Sequence, residues 1–266
     1  MSPYIAKPYK TLLQKNQLDT FEKVWAYKVK WFEEPNERRG GWSGVGRIAL
    51  TQADGSLLGA FLKKQDKHCR TALLHPINGV PTFQREFEMM RYLAGQNIGA
   101  PEVLFFGRNP LNLETTLLTK ELAGFVPLEE LTEALFKDSR PSLTKQLPII
   151  QAVAQFTRQL HHAKVQHRSF YPKHIFVNNQ KDILQVAVID LEKSRFQRLS
   201  MLRTVMDLSV LNRHAKYWSR TRRLQFYKQY LGVETLNCYQ KWLLKQIVKR
   251  SSRSKNNRTI KKVYAG

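Results

Sequence analysis

The 266-residue chain is poor in cysteine, with only Cys69 and Cys238, and these lie far apart. Neither a CxxC redox pair nor a disulfide framework can be built from them, which fits a reducing cytosol. Acidic residues are scarce too, 21 against 44 Lys and Arg, which leaves a formal net charge of +23. No stretch approaches the roughly 18 to 20 consecutive apolar residues that a membrane-spanning helix needs. The opening segment MSPYIAKPYKTLLQKNQLDT lacks the apolar region of a secretory signal, so an intracellular, cytoplasmic protein is expected. There is no HExxH frame, so His161, His162, His167 and His174 do not add up to a zinc hydrolase. No Gly-Lys-Ser/Thr follows the glycine cluster at 40–47, which excludes a Walker A loop.

The chain does have apolar material: 42% of residues are hydrophobic and 11% aromatic. That is enough to bury a core and excludes wholesale disorder. The excess of positive charge points to a polyanionic partner, with nucleic acid, anionic lipid and phosphorylated substrates all in range. It is densest at the end, at Lys245, Lys249, Arg250, Arg253, Lys255, Arg258, Lys261 and Lys262, in surroundings of Ser and Asn. This segment reads as a solvated tail, with docking to anionic membrane at the inner membrane as the functional alternative. A nucleic-acid binder is disfavoured because neither an RNA-binding aromatic motif nor a zinc-knuckle spacing accompanies the charge.

Periodicity and punctuation give the organisation. Segments 24–32, 46–52 and 57–63 are short, apolar and separated by turn signals such as Asp54-Gly55, and they read as antiparallel strands. From Pro81 onward, Phe83, Phe87, Met90 and Leu93 follow helical spacing, with Thr82 as N-cap and Gly95 as the end. Strands are expected over 102–107 and 113–119. A long buried helix follows over 144–162, with Leu147, Ile150, Val153, Thr157 and Leu160 on one face. Short strands at 175–177 and 185–189 precede helices near 204–216, 219–231 and 234–250. The expected fold class is α+β, with a β-rich N-terminal lobe over 1–122 carrying one helix. A mainly helical C-terminal lobe covers 123–250, and a basic tail covers 251–266.

Three sets of residues can carry chemistry. The run GGWSGVGR, Gly40 to Arg47, would let backbone N–H groups approach phosphate oxygens, through Gly41, Gly44 and Gly46 above all, although a plain turn explains it equally. Lys63, on a strand, needs an acidic partner to hold its ammonium over a nucleotide, and Glu86 lies on the inward face of the helix that follows. Lys64 and Glu88 are the alternatives one residue away. The third set is the loop His167-Arg168-Ser169-Phe170-Tyr171-Pro172-Lys173-His174 with Asp190 at the end of an apolar strand. A strand-end carboxylate suits a divalent cation with oxygen ligands, and equally suits a turn. His167 can be a loop-packing residue, and Asp207 can anchor the loop backbone or serve as a helix-end acid.

In this order the elements match the protein-kinase parts list. On PTFQREF around Glu86, YPKHIFV at 171–177 and IDLEKSR at 189–195, the chain resembles the InaA/Kdo-WaaP group of bacterial lipopolysaccharide kinases, in particular its InaA branch. The resemblance extends over about residues 38–230. It implies a bilobal protein-kinase-like fold, ATP with Mg²⁺, and phosphoryl transfer to an alcohol group of the lipopolysaccharide core or a related anionic acceptor. It assigns Lys63 to the α/β-phosphates, Glu86 to the lysine and Asp190 to Mg²⁺, and it sets His174 where protein kinases carry a metal-binding Asn. It sets His167 and Arg168 in the H-R-D position, with Ser169 in place of the catalytic aspartate. A serine cannot take the acceptor proton as a carboxylate does, so a pseudokinase or scaffolding module is the alternative reading.

Overall fold

Strand alternation explains the first half of the chain. The structure is a computed structural model that describes residues 2–263 apart from 33, 39–40, 68, 73–74, 110 and 181–182; the side chains of 38, 70–72, 75–78 and 253–263 are likewise left aside. Gly40 and the side chains of Arg253, Lys255, Arg258, Lys261 and Lys262 therefore lie outside the described residues. The chain divides into two compact units. One is Met1–Gly95 with Ala100–Ala123 and Leu191–Lys193; the other is Gln96–Gly99, Gly124–Asp190 and Ser194–Gly266.

In the first unit β1 (Tyr4–Ile5), α1 (Lys10–Lys15) and α2 (Phe21–Ala26) precede β2 (Asn36–Arg38), β3 (Gly41–Thr51) and β4 (Leu57–Asp66). There follow β5 (Cys69–Ala72), β6 (His75–Pro81), α3 (Thr82–Gly95), β7 (Val103–Arg108) and β8 (Thr115–Lys120). Six strands form one antiparallel sheet in the order β1-β7-β8-β4-β3-β2. Successive side chains of a strand face opposite ways. Ala60 and Leu62 of β4 join the cluster of Leu13, Leu18, Val24, Ile48, Leu50, Phe105 and Leu118. Phe61, Lys63 and Gln65 take the other face, where Phe61 stacks on Phe32 and Lys63 and Gln65 meet α3.

Gln65 fixes where α3 begins. Its side-chain oxygen accepts the Thr82 hydroxyl (2.8 Å) and the Phe83 backbone N–H (3.0 Å), satisfying a helix-terminal donor from a neighbouring strand. Thr82 is thus the first helical residue rather than the cap. Lys64, one position along, is buried on the opposite face and donates to the carbonyls of Trp25 (2.6 Å) and Tyr27 (2.5 Å) at the end of α2.

Two expectations are corrected here. The segment 24–32, read as a strand for its short apolar run, overlaps the end of α2, which Thr20 caps by accepting the Lys23 N–H. Beyond it only an isolated bridge from Trp31 to Gly46 remains. The first unit also carries α1 and α2 besides the expected helix, short elements that give too few turns for a periodic signal.

The second unit holds β9 (Phe125–Pro127), α4 (Leu128–Phe136), α5 (Leu143–His162), β10 (Val165–Gln166), β11 (Ile175–Asn178) and β12 (Gln185–Val188). It continues with β13 (Arg195–Phe196), α6 (Ser200–His214), α7 (Arg220–Leu231) and α8 (Cys238–Val263). β12, β11 and β9 form a small antiparallel sheet, and β10 pairs with β13. α5 buries Ile149, Ile150, Val153, Phe156, Thr157, Leu160 and His161. Ser219 caps α7, and Gly232 closes it at φ 70°, a conformation that favours glycine. The backbone expected as a tail from 251 continues α8 as helix to Val263.

Because the Gln65 oxygen satisfies two donors at the start of α3, Gln65→Ala should destabilise the protein by about 1–2 kcal/mol. Urea unfolding at neutral pH measures this, and an unchanged midpoint would remove the capping role.

Candidate active site

The capped start of α3 aims its next turn at β4. Glu86 is 2% exposed, and its two carboxylate oxygens lie 2.7 and 2.8 Å from Lys63 Nζ. The ammonium also sits 5.7 Å from the centre of the Phe83 ring. Lys63 itself stands opposite Leu117 of β8, so its backbone is held between two neighbouring strands. The neighbouring alternatives fall away: Lys64 faces α2, and Glu88 takes a hydrogen bond from Gln84 (2.9 Å).

The glycine run is strand rather than loop. Gly44 and Gly46 pair with Lys64 and Leu62 of β4. On their other side runs the segment 29–32, with the Phe32 N–H donating to the Val45 carbonyl (3.0 Å). A Cβ on Gly44 would come within 2.9 Å of the Trp31 ring, and one on Gly46 within 2.6 Å of the Lys30 carbonyl. Close approach of a neighbouring chain segment gives both positions a packing reason to lack a Cβ. Gly41 pairs with Arg38 at the start of β3.

In the second unit the loop after β10 is held by backbone groups. Asp207, fully buried in the middle of α6, accepts the His167 N–H on Oδ2 (2.7 Å) and the Arg168 N–H on Oδ1 (2.9 Å). It therefore anchors the loop and is no helix-end acid. A third contact comes from His161 Nε2 (3.2 Å), whose Nδ1 meets the Tyr230 hydroxyl (2.9 Å), itself 2.7 Å from Thr204 Oγ1. Arg168 sits at φ 65° with its side chain exposed, and Asp190 at φ 60°. Such conformations in residues other than glycine mark positions that the surroundings hold in place.

His167 is fully buried. A carbonyl oxygen only accepts, so Nε2 donates to the Ile189 carbonyl (2.9 Å) while Nδ1 accepts the Ser169 N–H (3.2 Å). Both ring nitrogens are engaged, so in this arrangement His167 orders the loop around Ser169 and Ile189 instead of exchanging a proton with a substrate. Burial pushes its pKa down to about 4.

His174 follows the same logic. Its Nδ1 lies 2.9 Å from the Ser169 carbonyl and 3.3 Å from Asp190 Oδ2, so this nitrogen carries a proton and cannot ligate a metal. Asp190, 26% exposed, brings one carboxylate. Among the described residues no group of three or more His, Cys, Asp and Glu side chains is arranged to hold an ion. A single carboxylate suits Mg²⁺ that arrives with a nucleotide, because phosphate oxygens and water complete the octahedron. A cavity of about 790 Å³ between α6, α7 and α8 includes none of these residues in its lining. The chemistry has to be read from the loop.

A strand lysine tied to a helix glutamate, and an H-R loop clamped by a helix aspartate, define a protein of kinase-like α+β fold. The sequence profile described as "Lipopolysaccharide kinase (Kdo/WaaP) family" matches residues 22–230, and the chain belongs to that family. It is 30% identical over 179 residues to Protein InaA of Escherichia coli, covering 66% of this chain and 79% of that protein. It is 27% identical over 244 residues to the lipopolysaccharide core heptose(I) kinase WaaP of Pseudomonas aeruginosa, with 85% of each chain covered. Among solved structures, "WaaP in complex with acyl carrier protein" superposes with a TM-score of 0.69 at 22% identity, over 95% of this chain and 99% of that one. Membership of a kinase family implies a nucleotide phosphoryl donor. No helix of the described residues is long and apolar enough to cross a membrane.

Removing the Asp207 carboxylate leaves two loop N–H groups and His161 without their acceptor, so Asp207→Ala should lose about 3 kcal/mol or more of unfolding free energy in urea. His167 predicts a pH dependence as well. The unfolded chain binds a proton at this histidine near pH 6.5, the native chain only near pH 4. The contribution is complete above about pH 6.5 and declines as pH falls toward 4, by on the order of 3 kcal/mol. Unfolding at pH 7 and near pH 4 should show a smaller loss in His167→Asn than in the wild type.

Proposed function

We propose that the protein is a cytoplasmic kinase that uses ATP with Mg²⁺ to phosphorylate a hydroxyl of a lipopolysaccharide core sugar or a closely related anionic acceptor. The observation that carries this is the Lys63–Glu86 pair, in a chain that belongs to a lipopolysaccharide kinase family. A buried carboxylate that bonds an ammonium with both oxygens fixes the cation's position, as a lysine that meets phosphate oxygens requires. Asp190 is the carboxylate proposed for Mg²⁺, which when bound would neutralise phosphate charge. The net charge of +23 favours an anionic acceptor.

In the transfer, the acceptor oxygen forms a bond to the γ-phosphorus, the bond from the γ-phosphorus to the bridging oxygen breaks so that ADP leaves, and the hydroxyl proton passes to water. Ser169 offers no carboxylate for that proton. In a loose transition state, positioning and charge stabilisation supply most of the acceleration, while a general base contributes about 10²–10⁴-fold. Activity without the aspartate is therefore slow rather than excluded. A scaffold that binds nucleotide without turnover is the second reading, and Ser169 is the observation that favours it.

Calorimetric titration with Mg·ATP is the first measurement. Lys63→Ala should weaken ATP with or without metal, by about tenfold or more, and Asp190→Asn should abolish the Mg²⁺-dependent part alone. With isolated core oligosaccharide as acceptor, Ser169→Asp should raise turnover by about 10²-fold at unchanged ATP affinity. Absence of Mg·ATP binding at millimolar nucleotide would discard the kinase reading and leave a scaffold.

A further inference from the structure

The positive charge is concentrated on one part of the molecule. Between residues 208 and 266 there are fifteen Lys and Arg and a single acid, Glu234, and α8 contains no acidic residue. One face of α8 is fixed to α6. Leu243, Ile247 and Ser251 are buried, and Ser251 Oγ accepts from Asn212 (2.9 Å) and donates to the Ser209 carbonyl (3.1 Å). The face turned away carries Lys241, Lys245 and Lys249, one per turn. No carboxylate among the described residues forms an ion pair with these three.

Apolar side chains stand among these charges. Trp242 is 45%, Val248 49% and Tyr239 55% exposed, and the Tyr239 and Trp242 rings stack at 5.9 Å and 23°. Water serves neither a row of like charges nor an open aromatic pair well. A surface with a phosphate layer above an apolar layer accommodates both, because lysine stems lie along the apolar boundary while their ammonium groups meet phosphates. Indole and phenol rings favour that depth. A nucleic acid offers phosphates and base faces but no continuous apolar layer beneath its phosphates.

We propose that the exposed face of α8, centred on Trp242 with Lys241, Lys245 and Lys249, is a docking surface that lays this helix on an anionic lipid bilayer. It is an interfacial contact of a basic helix face with aromatic side chains, not an insertion. The proposal does not rest on the kinase reading, since docking needs no nucleotide and no acceptor.

The test uses the full chain with phosphatidylcholine vesicles, with and without phosphatidylglycerol, in a sedimentation assay. Binding should require phosphatidylglycerol and weaken as salt shortens the screening length. Lys241→Gln/Lys245→Gln/Lys249→Gln should lower partitioning roughly a hundredfold, about fivefold for each lysine. Trp242→Ala should lower it about tenfold, and Trp242→Phe should restore part of the loss. These side chains are exposed, so thermal midpoints should not move. The comparison is Lys7→Gln/Lys10→Gln/Lys28→Gln, which removes the same charge from exposed positions of the other unit. It should change partitioning only by the long-range part, a few-fold at low salt. Equal losses in the two triple variants would overturn the proposal in favour of diffuse charge attraction. So would binding indifferent to phosphatidylglycerol, or a single-stranded oligonucleotide retained through Lys241, Lys245 and Lys249 where vesicles are not.

Discussion

The loop that carries His167, Arg168 and Ser169 holds a backbone that side chains resist, and one buried carboxylate keeps it there. Holding Arg168 at φ 65° costs about 1–3 kcal/mol. Two backbone N–H groups bonded to the same ionised carboxylate offset that, each charge-assisted bond being worth about 1.5–3 kcal/mol. The carboxylate is in turn tied to α5 through His161 and to α7 through Tyr230. The loop's geometry is therefore a property of how α5, α6 and α7 pack. A change in that packing reaches the site without touching it.

The first unit solves the analogous problem with strand alternation. Lys63 and Gln65 share a face of β4, so the strand that presents the cation also sets the start of α3 and the height of Glu86. This much is legible in the chain. The spacing of Phe83, Met90 and Leu93 marks the inward face of α3, and Glu86 lies on it. Whether Lys63 or Lys64 is the partner depends on the parity of β4, which no local pattern fixes. Residues 24–32 mislead because a short apolar run imitates a strand, while the determinant is a threonine four residues before Val24. The glycine run is ambiguous in sequence because one reason for it, Trp31 and Lys30 lying across Gly44 and Gly46, is another segment of chain. Asp207 stays ambiguous in sequence for the same reason: the N–H groups it accepts belong to residues about forty positions earlier.

The charge distribution follows a different boundary. The family match ends at residue 230, and α8 begins at Cys238. The basic, aromatic face of α8 thus lies beyond the segment that identifies the family, whereas the Lys63–Glu86 pair and the Asp207 clamp lie within it. The two stretches still meet in the packing, because Ser251 of α8 bonds Asn212 and Ser209 of α6, the helix that carries Asp207.

Ser169 is held inside the site by its main chain. Its N–H donates to His167 and its carbonyl accepts from His174, so main-chain groups fix its position in the loop. Arg168 and His167 are held to Asp207 through main-chain N–H groups as well. A loop built in this way does not need a carboxylate at position 169 to keep its shape. Replacing an aspartate there removes a proton acceptor while leaving the clamp, the His174–Asp190 contact and the strained backbone in place. The clamped loop is therefore compatible with either side chain at position 169, so its shape alone does not separate a kinase from a nucleotide-binding scaffold.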